Sequence, residues 1–286
     1  MSTRPCGLVV DGGAVLVEDL SNGIAVVPVR IRLGDADFVD SGDPEEYAAF
    51  YQRLRDGAVP GTSTPAPGEY LDAFRRLDSD RIVCLTIPAA WSGMHGAASL
   101  AADLLAGDEG RRRVTVVDTN TAAMGLALVA RVAADAVSRG SQHDALIEAV
   151  ERASAAVRMY GALETLTYVA RSGRVPALIA GISNTLHIRP VFRMHGAETG
   201  RVALARTPSG ALEALQKAAT EQLNGVPHRL LVFHADAASE ASQLAERLDE
   251  VSPASQQDMI PLSPLAGSYT GPGAFGFAAI PAQTSI

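Results

Sequence analysis

The sequence predicts an α/β protein of two domains, and three observations carry that reading. Between residues 81 and 138, apolar strand-like runs alternate with helix-patterned segments over short connections, the signature of a parallel sheet covered on both faces. A length of 286 residues suits about two domains. Apolar content of 47% against 20% charged is enough for a sizeable core, and with aromatics at 5% that core is built from aliphatics. A helical segment over 141–157 bridges the two domains, which gives an N-terminal domain of residues 1–157 and a C-terminal α/β domain of residues 158–286.

In chain order, Gly7-Leu8-Val9-Val10-Asp11 reads as a buried strand that ends on a carboxylate and two glycines, Gly12 and Gly13. Residues 24–33 read as a second strand, with Pro28 marking an edge or a bulge. Asp43-Pro44-Glu45-Glu46 is a helix start, with an N-cap acceptor, Pro at the first position and Glu at the third. Tyr47, Phe50, Tyr51 and Leu54 then keep helical spacing until Gly57. Further strands are expected over 81–87, 114–118, 161–163, 187–194, 201–207 and 230–235. Helices are expected from Pro67, through Leu105, over 122–138, up to Ser172-Gly173, after Pro176, over 208–223 and over 237–248.

Gly61-Thr62-Ser63-Thr64-Pro65-Ala66-Pro67-Gly68-Glu69 stands out as an ordered connector. Pro65 and Pro67 bias Thr64 and Ala66 toward extended backbone, which holds Thr62 and Ser63 out as hydroxyl donors. In a parallel α/β sheet, ligands sit outside the carboxyl ends of the strands, and Asp11, Ser92 and Asp118 all follow strands.

Several chemistries are excluded. A net charge of −8 disfavours binding a phosphate backbone, so no nucleic-acid partner is expected. Cys6 and Cys84 form no framework and fit a reducing compartment; without a signal segment or a membrane-length apolar run, the chain is expected to be cytoplasmic, with no stable membrane insertion. There is no phosphate-binding glycine loop, nucleophile elbow or H-E-x-x-H, and the six histidines lack ligand spacing, so neither metal nor cofactor is expected. What remains is hydroxyls beside glycines: Thr62 and Ser63, Ser92-Gly93, and Gly267-Ser268-Tyr269-Thr270-Gly271. Such groups suit an anion held by neutral donors.

These segments, in this order, resemble the DegV family of bacterial fatty-acid-binding proteins over nearly the whole chain. The resemblance rests on the strand ending in Asp11, the 62–69 loop, Trp91-Ser92-Gly93, Val117-Asp118-Thr119, Ala123-Met124-Gly125, Gly173-Arg174, Ile188-Arg189-Pro190, His234-Ala235-Asp236 and Thr270-Gly271-Pro272-Gly273-Ala274-Phe275-Gly276. It implies a two-domain fold with a parallel N-terminal and a mixed C-terminal sheet, binding one long-chain fatty acid between the domains. The carboxylate would lie at the cleft mouth and the tail in an apolar tunnel. Some members present the fatty acid to a separate fatty-acid kinase for acyl-phosphate formation in phospholipid synthesis. By position, Thr62, Ser63, Ser92, Gly93, Tyr269, Thr270 and Arg171 are the fatty-acid-binding residues, and Arg174 is the second basic position beside Arg171. The implied protein is a carrier rather than an enzyme, and a monomer is the default expectation.

Four departures from that pattern matter. Gly12-Gly13 stands where the family carries Ser and Thr, Ala66 stands for a Ser, and Tyr269 stands for a His. Thr207-Pro208-Ser209-Gly210 replaces a stretch that is basic in relatives and could meet an acidic partner. Two other readings compete: a divergent member with a different small ligand, and an acyl hydrolase using Ser92 or Ser63 with His95 or His234.

Overall fold

The computed structural model describes residues 5–14, 22–39, 44–109, 113–175, 178, 188–223, 226–251 and 256–284. Strands β1 (Gly7–Asp11), β2 (Ile24–Val27), β6 (Arg81–Thr86) and β7 (Arg113–Asp118) form an all-parallel sheet in the order β2-β1-β6-β7. Leu8, Val9 and Val10 are fully buried, as are Ile82 to Leu85, because helices cover both faces. That double burial is why these strands read as unbroken apolar runs.

The segment read as one strand over 24–33 is two strands in two sheets. Pro28 and Val29 break it, and β3 (Arg30–Leu33) leaves the parallel sheet to pair antiparallel with β4 (Ala36–Val39) and β5 (Pro60–Ser63). Proline lacks the N–H that a continuing ladder needs. The stretch read as a connector therefore begins as strand β5, with Thr62 opposite Ile31 and Ser63 opposite Arg30. Helix α1 (Pro44–Arg55) follows the expected start, whose Asp43 cap lies outside the described residues. Helix α2 (Pro67–Arg76) opens on Pro67 as expected, and the Glu69 carboxylate reaches back to accept from the Ala66 N–H at 2.8 Å.

Helices α3 (Met94–Glu109), α4 (Ala123–Ser138) and α5 (His143–Ala156) complete the first half of the chain. Six strands then form a mixed sheet in the order β10-β9-β8-β13-β11-β12. They are β8 (Arg158–Ala162), β9 (Arg189–His195), β10 (Glu198–Ala205), β11 (His228–His234), β12 (Gln256–Pro261) and β13 (Phe275–Pro281). Every pair is antiparallel except β11 with β12. Helix α6 (Thr167–Ser172) follows β8, α7 (Pro208–Leu223) and α8 (Ala238–Val251) cover one face, and α9 (Pro264–Thr270) precedes β13. Strands β4, β12 and β13 and helix α9 had no counterpart in the sequence reading, and the helix expected after Pro176 falls outside the described residues.

The two faces of this sheet belong to different cores. Tyr160, Val191, Leu230, Val232, Phe275 and Phe277 pack with α7 and α8. Met159, Phe192, Met194, Leu231 and Phe233, on the other face, join the core that runs through the parallel sheet. Helix α4 connects the two: its eleven buried residues touch β1 on one side and β11 and β13 on the other. Its polar stripe is tied to the mixed sheet by ion pairs of Arg131 with Asp258 and of Asp135 with Arg229 at 2.7 Å.

Candidate ligand-binding cavity

Between the parallel and mixed sheets lies a cavity whose empty space is about 1110 Å³, counting the solvent at its opening. Its walls come from β5, the loop after β6, the start of α4, the inner face of β8 to β10, α6 and the turn beyond it, and α9. The buried lining is apolar, with Met159, Leu163, Phe192, Met194 and Leu265. Most of the polar lining is half-buried or exposed, and Thr199 adds a hydroxyl on β10 opposite Met194.

Residues from four elements build a polar mouth. Thr62 Oγ1 on β5 and the Tyr269 hydroxyl on α9 share a hydrogen bond of 2.6 Å. Two hydroxyls carry two hydrogens and only one bridges the pair, so the other is available to an anion. Arg174 donates from Nε to the Trp91 carbonyl at 2.7 Å, and its guanidinium sits 4.8 Å from the centre of the Tyr269 ring, a cation–π arrangement. Ser92 Oγ accepts from the Met94 N–H at 3.3 Å, which leaves its own proton free to donate. Ser63 and Thr64 are exposed beside them.

Thr62, Ser63, Ser92, Tyr269 and Thr270 all line the cavity, and Thr270 Oγ1 also donates back to the Ala266 carbonyl at 3.2 Å. Gly93 is exposed and is not part of the lining. Arg171 is exposed on α6 and does not line the cavity, whereas Arg174 does. The reason lies in Gly173, which ends α6 in the left-handed conformation at φ 65°, so the chain turns before Arg174. A Ser-Gly-Arg sequence at a helix end carries that signal.

Two carboxylates at the strand ends hold backbone. Asp11 accepts from the Gly13 N–H at 3.1 Å and from the Ile87 N–H at 2.9 Å. It is wholly buried, and burial pushes its carboxyl up to about 6 even though the two N–H groups favour its charged form. Asp118 accepts from the Ala89 and Asn120 N–H groups at 3.0 and 2.9 Å. Together they fix the loop after β6 that carries Trp91 and Ser92. The Gly12-Gly13 departure has a local use here, since a Cβ on Gly12 would lie 3.1 Å from the Val29 N.

Among the described residues, no nucleophile-and-base pair is assembled around the candidate serines. His95 Nδ1 faces Thr86 Oγ1 at 3.1 Å, and His234 Nδ1 faces the Ala237 N–H at 3.4 Å. Among the described residues there is no cluster of three or more His, Cys, Asp or Glu suited to a metal, and no helix is long and apolar enough to cross a membrane.

A mixed α/β fold enclosing an apolar cavity with a hydroxyl-lined mouth defines a small-ligand-binding protein. A family model described as an uncharacterised protein of the DegV family matches residues 5–282, and the chain belongs to that family. A DegV domain-containing protein of Streptomyces coelicolor is 32% identical over 259 residues, covering 89% of this chain and 90% of that one. A solved DegV family protein from Thermus thermophilus, described for its fatty-acid binding, superposes with a TM-score of 0.87 at 27% identity, covering 97% of this chain and 99% of its own. A Thermotoga maritima protein described as revealing a fatty-acid binding function superposes at 0.82 with 25% identity, covering 97% and 99%.

Proposed function

We propose that this chain binds one long-chain fatty acid, its carboxylate at the mouth and its acyl tail in the apolar cavity. The observation that carries the reading is the convergence of Thr62, Ser92, Tyr269 and Arg174 on the exposed end of a largely apolar space. Burying about fifteen methylenes at roughly 0.8 kcal/mol each yields roughly 12 kcal/mol gross. An unpartnered carboxylate would consume several kcal/mol of that gain. A few aimed donors are therefore sufficient and a catalytic machine is unnecessary. Thr62 and Ser92 supply hydroxyl donors, with Ser63 and Thr270 beside them. Arg174 provides the positive charge that Tyr269 cannot provide where the family carries His.

The chain then acts as a cytoplasmic carrier, with the ligand between domains 1–157 and 158–286, and presents the fatty acid to a fatty-acid kinase. The fatty-acid binding of the Thermus and Thermotoga relatives supports the first half of this reading. The kinase step rests on the family resemblance alone. Native mass spectrometry of protein purified from a bacterial host, without added lipid, tests the binding. A retained adduct with the mass of a long-chain fatty acid, lost in Thr62→Ala/Ser92→Ala, is expected. A mass that stays free of adduct after soaking with several fatty acids rejects the proposal.

A further inference from the structure

On the cavity face of the mixed sheet, one row of residues crosses four strands. Phe233 lies opposite Gly276, Gly276 opposite Gly161, and Gly161 opposite Phe192. Two aromatic side chains thus flank two positions with none, and both rings lean inward. A Cβ on Gly161 would sit 2.7 Å from Cε1 and Cζ of Phe192 and 3.2 Å from Cζ of Phe233. The Phe192 ring occupies the space that a side chain at 161 would need. Phe192, 7% exposed, is part of the cavity lining, and the row two residues along adds Met159 and Met194 to the same buried wall.

We infer that the Gly161–Phe192 pair sets how far an acyl chain can enter. A methyl group at 161 must displace the tip of the Phe192 ring. Phe233 closes the side toward β11 and the sheet backbone closes the space below, so the open direction is the cavity. The displaced ring then shortens the space left for the tail. A smaller side chain at 192 does the reverse. Gly276 has a different duty: a Cβ there would lie 2.1 Å from the Tyr160 carbonyl oxygen and 2.6 Å from the Gly161 Cα, so it serves strand pairing and not chain length.

This inference rests on the fatty-acid reading, and the experiment separates the two. Affinities of delipidated wild type, Gly161→Ala, Phe192→Leu and the double variant are measured for saturated fatty acids from dodecanoic to eicosanoic acid. Each methylene kept out of the cavity lowers affinity about fourfold. Gly161→Ala should move the preferred length down by at least one methylene step, and Phe192→Leu should move it up. In the Phe192→Leu background the Gly161→Ala shift should vanish, because the ring that transmits it is gone. An unchanged length preference in both single variants, with wild type binding normally, overturns the inference while leaving the fatty-acid reading intact. So does a Gly161→Ala shift that persists undiminished in the Phe192→Leu background. Wild type that binds none of the series overturns both.

Discussion

The two large sheets reach the same burial by opposite means. In the parallel sheet, Leu8, Val9, Val10 and Leu85 fill space with their own side chains on both faces. In the mixed sheet, Gly161 and Gly276 leave space that the rings of Phe192 and Phe233 enter from neighbouring strands. The first sheet is sensitive to losing volume and the second to gaining it. The parallel sheet is a plain scaffold, while the inner face of the mixed sheet is shaped by the cavity in front of it.

The sharpest way to break this comparison is a pair of opposite substitutions. Gly276→Ala puts a methyl into the Tyr160 carbonyl and should cost more than about 4 kcal/mol, the range reached only by severe steric or core changes. Leu85→Ala, at a fully buried position, should cost about 2–5 kcal/mol through transfer and cavity formation. Denaturant unfolding checks both, and a well-tolerated Gly276→Ala would contradict the steric account.

A smaller effect probes how the parallel sheet meets the cavity. The carboxyl of Asp11 is raised to about 6 in the folded chain against 3.8 when free. Its charge is therefore harder to carry folded than unfolded, and the folded state binds its proton first. The sign follows: this group's contribution to stability is greatest below about pH 4, falls as pH rises toward about 6, and stays low above that. The swing is on the order of 3 kcal/mol. Urea unfolding from pH 4 to 7 should show a steeper decline in wild type than in Asp11→Asn. The slope is the readout, because Asn also turns a donor toward the Ile87 N–H. Parallel slopes would refute the assignment.

The smallest effect concerns the mouth. With Arg174 supplying the charge there, ligand affinity should stay level between about pH 6.5 and 8, while Tyr269→His should bind severalfold tighter toward the acid end. Fluorescence displacement with a fatty-acid probe measures this. A wild-type affinity that itself changes severalfold across this range would remove Arg174 from the role.

What the sequence revealed followed the same division. Strands β1 and β6 were legible because burial on both faces writes an unbroken apolar run, and the half-buried edge strand β7 because its valines lie between a basic start and Asp118. Strand β13 was not, since Gly273-Ala274-Phe275-Gly276 reads as a turn until the rings that fill its gaps are known. The change of sheet at Pro28 and the strand at Thr62 depended on pairing partners distant in sequence. At the mouth, the residue types were legible by motif, but which arginine faces inward was decided by the left-handed turn at Gly173.

Helix α4 carries a last consequence, for how a ligand gets in. Lodged between both sheets, it buries Met124, Leu126, Leu128, Val129, Val132 and Val137 among other residues, each worth about 1.5–3 kcal/mol. Prising the halves apart around it would cost an amount comparable with the ~5–15 kcal/mol that holds a typical domain together. The molecule therefore has a spine where a clamshell would have a hinge. On the proposed reading, a fatty acid would have to be threaded in through the exposed end, beside Trp91 and Tyr269, while the body of the protein stays shut.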